Sequence, residues 1–193
     1  MNSNCHTYHD SPLGRLRLEQ VRGQLTGLWL PTGQPARATT AMGLCDARAF
    51  DEVRRQLDAY FLGRRRKFDV PMRGAGTAFQ EEVWAALCEI PYGETWSYGQ
   101  LAARIGRPAG SRAVGAANGQ NPLSILVPCH RVIGADGKLT GYGGGLPAKQ
   151  WLLELEQTGI PPLGLEREDF PIRFEKISTR METVGLHLGT NPA

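Results

Sequence analysis

Hydrophobic and polar positions change rhythm along this chain. Near the N-terminus Leu16, Arg17 and Leu18 alternate, Arg22-Gly23-Gln24 carries a turn signal, and an apolar run follows at 25–30. This spacing predicts two strands. Phe50, Val53, Leu57, Tyr60 and Phe61 then recur at helical spacing, which predicts a helix over 46–62 ended by Gly63. Next come Arg64-Arg65-Arg66-Lys67 and a Gly/Pro-rich stretch at 71–76. The stretch reads as a linker, and the basic run as solvated surface in preference to a phosphate contact.

Beyond the linker the pattern is helical. Thr77 with Gln80, and Ser97 with Gln100, are capping-box signatures. The first precedes Phe79, Val83, Trp84 and Leu87; the second opens a helix over 98–105. The segment 106–110 breaks that helix, and Ser111 stands where it would cap a third over 112–118. Two short helices across a tight turn make a helix-turn-helix candidate. A last helix starts at Pro147 and stops at Gly159. Between these helices, 123–127 reads as a buried apolar strand running into Pro128-Cys129-His130-Arg131 and back into Val132-Ile133. Past 162 the charges are scattered and periodicity is weak. The expected organisation is therefore a first domain over 1–70, a linker at 71–76, a second domain over 77–161, and a weakly ordered extension over 162–193 docked through Phe170 and Phe174.

Composition narrows the class. A chain of 193 residues with 41% hydrophobic content builds a core in one domain or two small ones. No apolar run is long enough to span a bilayer, and the first residues lack the layout of a secretory signal, so a cytoplasmic protein is expected. The net charge of +3 permits a nucleic-acid partner. Residues 97–149 are more basic, with Arg104, Arg107, Arg112, Arg131, Lys138 and Lys149 against Asp136 alone.

Cys5, Cys45, Cys88 and Cys129 form no C-x-x-C pair and are expected as free thiols in a reducing compartment. Cys45 and Cys88 read as small core or near-surface thiols. Cys5, His6 and His9 make half of a metal site at most, without a downstream partner pair, and no metal is assigned. Cys129 differs. A thiol, an imidazole and a guanidinium where the pattern demands core are costly unless paired or used. A free thiol titrates near about 8.5, so a nucleophilic one needs a base or a positive field beside it. His130 and Arg131 are positioned in sequence to supply one. A lone Cys-His pair is more often a buried small hydrophobe next to a core histidine. Asn121-Pro122 upstream, Tyr142-Gly143-Gly144-Gly145 downstream, and Glu156 on an otherwise apolar last helix shift that balance.

Taken in order, Ile90-Pro91-Tyr92-Gly93-Glu94-Thr95-Trp96-Ser97-Tyr98-Gly99, Ser111-Arg112-Ala113-Val114-Gly115, Asn121-Pro122, Val127-Pro128-Cys129-His130-Arg131-Val132 and Gly141-Tyr142-Gly143-Gly144 closely resemble the bacterial-type O6-methylguanine-DNA methyltransferases. The resemblance is strong over 77–159 and looser before it. It implies an α/β N-terminal ribonuclease-H-like domain and a mainly α C-terminal winged-helix-like domain whose helix-turn-helix enters the minor groove. It implies DNA repair by direct reversal: one irreversible transfer of an alkyl group from O6-alkylguanine, and from O4-alkylthymine, to Cys129 after base flipping. His130 would be a water-mediated base oriented by Glu156, and Asn121 would brace the cysteine turn. Tyr98 would rotate the nucleotide and bond the base, and Arg112 would fill the gap it leaves. The backbone at Cys129 and Val132 would read the guanine amino group, and the Tyr142-Gly143 loop would cover O6. Gly143 and Gly144 would let that loop approach the base closely. The implied protein is a monomer with no cofactor, acting on double-stranded DNA that contains alkylated guanine, without a membrane partner.

Three other readings stay beside it. A non-catalytic lesion binder of the same fold would lack the nucleophile. A transcriptional regulator would carry a sensing domain with clustered metal-ligand cysteines. A cysteine hydrolase needs a direct base, but adjacent Cys and His usually point apart in an extended turn and no second histidine motif supplies one, His187 lying in the extension.

Overall fold

The computed structural model describes residues 5–32, 43–44 and 47–162. What the sequence led us to expect of Cys45, and of the extension with Phe170, Phe174 and His187, lies outside the described residues.

The first half is a sheet with one helix laid against it. Strands β1 (Cys5–Ser11), β2 (Gly14–Val21) and β3 (Gln24–Trp29) form an antiparallel meander, and β4 (Gly43–Leu44) adds to β1 in parallel, giving the order β3-β2-β1-β4. β1 is an addition to the expected pair of strands; its run Cys-His-Thr-Tyr-His-Asp-Ser has no apolar alternation to announce it. It forms because β2 offers a full ladder, from Cys5 opposite Gln20 to Ser11 opposite Gly14. Leu16 and Leu18 on β2 are wholly buried, each worth roughly 1.5–3 kcal/mol relative to exposure. Helix α1 (Asp51–Phe61) follows a 3-10 turn at Ala47–Phe50 and so begins later than periodicity suggested. Asp51 and Glu52 in its first turn suit the positive end of the helix. Val53, Leu57, Tyr60 and Phe61 are its buried face.

The second half is helical: α2 (Ala78–Leu87), α3 (Tyr98–Arg104), α4 (Ser111–Gly119) and α5 (Leu146–Thr158), with β5 (Trp96–Ser97) paired in parallel to β6 (Val132–Ile133). Both capping boxes form. The Thr77 and Ser97 hydroxyls accept from the backbone of Gln80 and Gln100, whose side chains reach back to the cap N–H. Ser111 does not cap α4. The Gly110 carbonyl already accepts from Val114, which makes Gly110 the cap and Ser111 the first helical residue. α5 starts one residue before Pro147 and ends at Gly159 in the left-handed conformation.

The expected strand at 123–127 is not one. Pro122 and Pro128 bracket it, Ile125 sits at φ 72, and its backbone bonds are local turns, such as Val127 N–H to Leu123 C=O. A left-handed β-branched residue cannot continue a pleat. Only the start of this segment pairs with a strand. Leu28 of β3 bonds Pro122 and Ser124, while Leu25 of β3 bonds Pro71 and Arg73. The exposed edge of the sheet is thus covered twice, once by the chain leaving the first half and once by the loop that leads to Cys129. Among the described residues no helix is long and apolar enough to cross a membrane.

Candidate active site

Cys129, His130 and Arg131 form one turn of 3-10 helix, all three buried. Asn121 holds the approach to that turn. Its amide oxygen accepts from Leu123 N–H, and its NH2 donates to the Val127 carbonyl at 2.8 Å and to Cys129 Sγ at 3.1 Å. One side chain therefore closes the irregular loop and aims the sulfur. Burial pushes the Cys129 thiol up; the Asn121 amide, the Lys149 ammonium and nearby backbone N–H groups pull it partly back. At neutral pH the resting sulfur is a thiol, and a base has to take its proton.

The tautomer of His130 follows from its partners. Its Nε2 lies 2.9 Å from Glu156 Oε1. Burial would raise the Glu156 carboxyl, but hydrogen bonds from His130 and Arg131 and the charge of Arg131 hold it well below its ordinary range. An ionised carboxylate only accepts, so Nε2 carries the hydrogen. Burial holds the imidazole below its usual pKa despite Glu156, so the ring is neutral at pH 7. Nδ1 then offers a lone pair, and it is buried without a protein partner. A neutral imidazole with Nε2 tied and Nδ1 open is set up to receive a proton.

Glu156 is gripped by more than His130. Arg131 reaches it with Nε and Nη2 at 2.7 and 2.9 Å, the Tyr60 hydroxyl donates at 2.7 Å, and the Gly93 N–H at 3.3 Å. Arg131 also donates to the Ile90 carbonyl. The sequence suggested that Arg131 would put a positive field on the thiol; in the structure it serves Glu156. Lys149, wholly buried, donates to the carbonyls of Val132 and Thr140 at 2.5 and 2.6 Å, and burial lowers it to about 8. The Val132 carbonyl keeps one lone pair for a further donor.

The remaining expected residues lie around the sulfur or on the helix-turn-helix. Trp29, Asn118, Asn121, Ser124, Tyr142 and Gly143 enclose a cavity of about 30 Å³ on Cys129, room for little more than one water. Tyr142 covers His130 edge-on at 6.3 Å and its hydroxyl is buried. Gly143 has open space where a Cβ would be. Gly144 does not: a Cβ there would stand 2.5 Å from Leu30 and 2.7 Å from Tyr142, so packing of the loop forbids it. Tyr98 opens α3 with its ring against Gly115 of α4. Arg112 is exposed in the first turn of α4, and among the described residues no ion pair holds it. The outer face of α4 is Arg112, Ala113, Ala116 and Gly119. Asn118 is not on that face but buried, turned toward the Cys129 carbonyl at 3.5 Å.

The basic excess at 97–149 is largely compensated in three dimensions. Arg104 pairs with Glu89, Arg107 with Glu82 and Lys138 with Asp136, while Arg131 and Lys149 are interior. Arg112 is what remains. Tyr60, Gly93, Lys149 and Trp29 were not singled out from sequence. Tyr60 and Trp29 gave only a core-aromatic signal, and Lys149 stood only as one of the cations at 97–149. Cys88 is a free thiol, whereas Cys5 is disulfide-bonded, contrary to the expectation of four free thiols.

Comparison with known proteins gives one answer. Residues 4–73 match the family described as 6-O-methylguanine DNA methyltransferase, ribonuclease-like domain, and 78–158 match 6-O-methylguanine DNA methyltransferase, DNA binding domain. The chain is 52% identical over 154 residues to the methylated-DNA–protein-cysteine methyltransferase of Mycobacterium tuberculosis, covering 79% of this chain and 92% of the relative. It is 46% identical over 151 residues to the protein of that name from Methanosarcina barkeri, covering 78% and 96%. The crystal structure of Mycobacterium tuberculosis OGT in complex with DNA superposes with a TM-score of 0.75 at 50% identity, covering 81% of this chain and 95% of that one. The expected fold class, an α/β ribonuclease-like part followed by a mainly helical DNA-binding part, is borne out.

Proposed function

This chain belongs to the 6-O-methylguanine DNA methyltransferase family, whose reaction is direct reversal of DNA alkylation, and from that premise we propose that Cys129 takes the alkyl group. The activity is that of a methylated-DNA–protein-cysteine methyltransferase, and DNA is its partner. The substrate in this reading is O6-alkylguanine in duplex DNA, O4-alkylthymine being a second, and the protein works as a monomer in the cytoplasm. The functional division follows 1–70, 71–76 and 77–161, with the chemistry in the last.

The observation that carries the reading is the contact of His130 Nε2 with the Glu156 carboxylate, beside a buried Nδ1 left open. Glu156 Oε1 accepts a hydrogen bond from Nε2–H, which leaves Nδ1 as the acceptor. The Cys129 proton passes to Nδ1 through one water. The thiolate attacks the alkyl carbon in line, a carbon–sulfur bond forms, and the bond to O6 breaks with its electron pair leaving on guanine. Tyr98 and the N–H groups of the Tyr142-Gly143-Gly144 loop supply donors to that oxygen. The carbonyls of Cys129 and Val132 accept from the guanine amino group. A cavity of about 30 Å³ does not hold a purine, so the loop carrying Tyr142, tied at Gly143 to Thr32 by a 3.4 Å bond, shifts when the base enters.

Base flipping explains the character of α4. Its small outer residues let the helix lie close to the duplex, and a minor groove carries little sequence information, which suits a lesion scanner. Arg112 is the side chain free to enter the stack. The test is single-turnover transfer from a duplex with one O6-methylguanine, wild type against Cys129→Ser, with DNA affinity measured alongside. The serine variant binds DNA within about two-fold of wild type, since its phosphate contacts are intact, and transfers nothing. Transfer by the variant would remove Cys129 from the role.

A further inference from the structure

Glu156 Oε1 is shared. It receives His130 Nε2 at 2.9 Å, Arg131 Nη2 at 2.9 Å and the Tyr60 hydroxyl at 2.7 Å. Two of these donors belong to the Cys129 turn, but Tyr60 comes from α1, on the opposite half of the molecule. We infer that Tyr60 is a positioning residue of the proton relay: its hydroxyl draws charge from the carboxylate oxygen that faces His130, and so sets how strong a base the imidazole is. The inference rests on the reading of His130 as the base.

The geometry separates this role from packing. The Tyr60 ring is fixed by Phe61, Phe68 and Tyr92 at centroid distances of 5.5, 5.4 and 6.2 Å, so the hydroxyl is not needed to seat the ring. The carboxylate is likewise kept in orientation by the two-pronged grip of Arg131. The phenol, buried beside Glu156, is pushed well above its ordinary pKa and stays a donor. His130 feels Glu156 and Lys149 from α5, Arg131 and Cys129 from its own turn, and Tyr142 from the loop before α5, with Tyr92 beyond Arg131. Removing one neutral donor from Oε1 leaves all of these in place and makes that oxygen more negative toward the ring, so the imidazolium is favoured.

The experiment follows the His130 ring by NMR titration in the full chain without DNA, for wild type, Tyr60→Phe and Phe68→Leu. Tyr60→Phe is expected to raise the His130 pKa by roughly half a unit to one unit. The acid limb of the transfer rate then moves to higher pH by the same amount. Phe68→Leu loosens the same ring without removing the donor, and is expected to lower the melting temperature and leave the titration unmoved. A fluorinated tyrosine at position 60, a stronger donor, is expected to shift the His130 pKa the other way, and carries the test alone if Tyr60→Phe does not fold. A Tyr60→Phe titration that overlays wild type, an equal shift in Phe68→Leu, or no opposite shift with the fluorinated ring overturns the inference. Failure of the proposed reaction shows separately, as a wild-type protein that titrates but transfers no alkyl group.

Discussion

Glu156 is the residue on which the site's charges converge, and it decides two properties at once. With five donors on two oxygens it is ionised and immobile. Glu156→Gln keeps the shape but turns an NH2 toward donors. It is expected to slow transfer by about 10-fold or more, the scale of general-base contributions. It should also cost about 3 kcal/mol of stability, since a buried guanidinium loses its counter-charge. Rate constants and denaturant midpoints measure the two effects. The folded pKa of Glu156 lies below that of the unfolded chain, so the unfolded state binds more protons and stability rises with pH. Its contribution is complete above about pH 5 and drains away as pH falls below about 4 toward the folded value. The Gln variant should therefore show a flatter loss of stability in acid; a decline parallel to wild type would mean that another carboxylate governs it. Arg112 separates by a different pair of measurements. Arg112→Ala is expected to slow repair of duplex DNA far more than dealkylation of free O6-benzylguanine, which needs no extrusion. Equal losses on both substrates would mean that Arg112 supports the fold or the pocket and not the flip.

At the scale of elements, what the sequence revealed was local and what it hid was tertiary. Two capping boxes, the Gly159 stop and the first-turn proline of α5 were readable because each is a contact between near neighbours. β1 was not, because its ladder depends on β2 and its own residues carry no alternation. The run 123–127 has the composition of a strand, yet two prolines and the left-handed Ile125 make it a braced loop, with Asn121 as the brace. Cys129, His130 and Asn121 were legible as a group because they lie within one loop. Tyr60 was hidden because it is 96 residues from the carboxylate it touches and has the spacing of a core aromatic. Gly93 is a case in between, visible as part of a motif but not for its reason. It sits at φ 82, and a Cβ there would meet the Glu156 carbonyl at 2.9 Å. Gly93→Ala is expected to cost roughly 1–3 kcal/mol from backbone strain and to press on α5 at Glu156. Transfer should slow as the melting temperature falls, while Gly119→Ala, with open space at the Cβ, changes stability little. A Gly93→Ala protein of wild-type rate and stability would contradict this view of the turn.

As a whole the molecule is two halves sharing one site. The sheet gives its β3 edge to the loop that leads to Cys129, Trp29 to the cavity wall and Tyr60 to the carboxylate. The helical half supplies the Cys129 thiol, the His130 imidazole and the helix-turn-helix. Its charge is more modest than the sequence suggests, since three of the surface cations at 97–149 are already paired. DNA affinity should accordingly depend weakly on salt for a basic protein, and Arg112→Ala, which removes a side chain assigned to the base stack and not to a phosphate, should leave that slope little changed. The central claim is that the protein is its own acceptor and is spent in one reaction. A thioether at Cys129 is not reversed by thiol exchange, and nothing in the proposed chemistry regenerates the thiol. Intact mass after incubation with a several-fold excess of O6-methylguanine duplex tests this most directly. The account predicts one added methyl group per chain, carried by the peptide that contains Cys129, and repaired DNA equal in amount to protein. More repaired DNA than protein, or the methyl group on another residue, would contradict it.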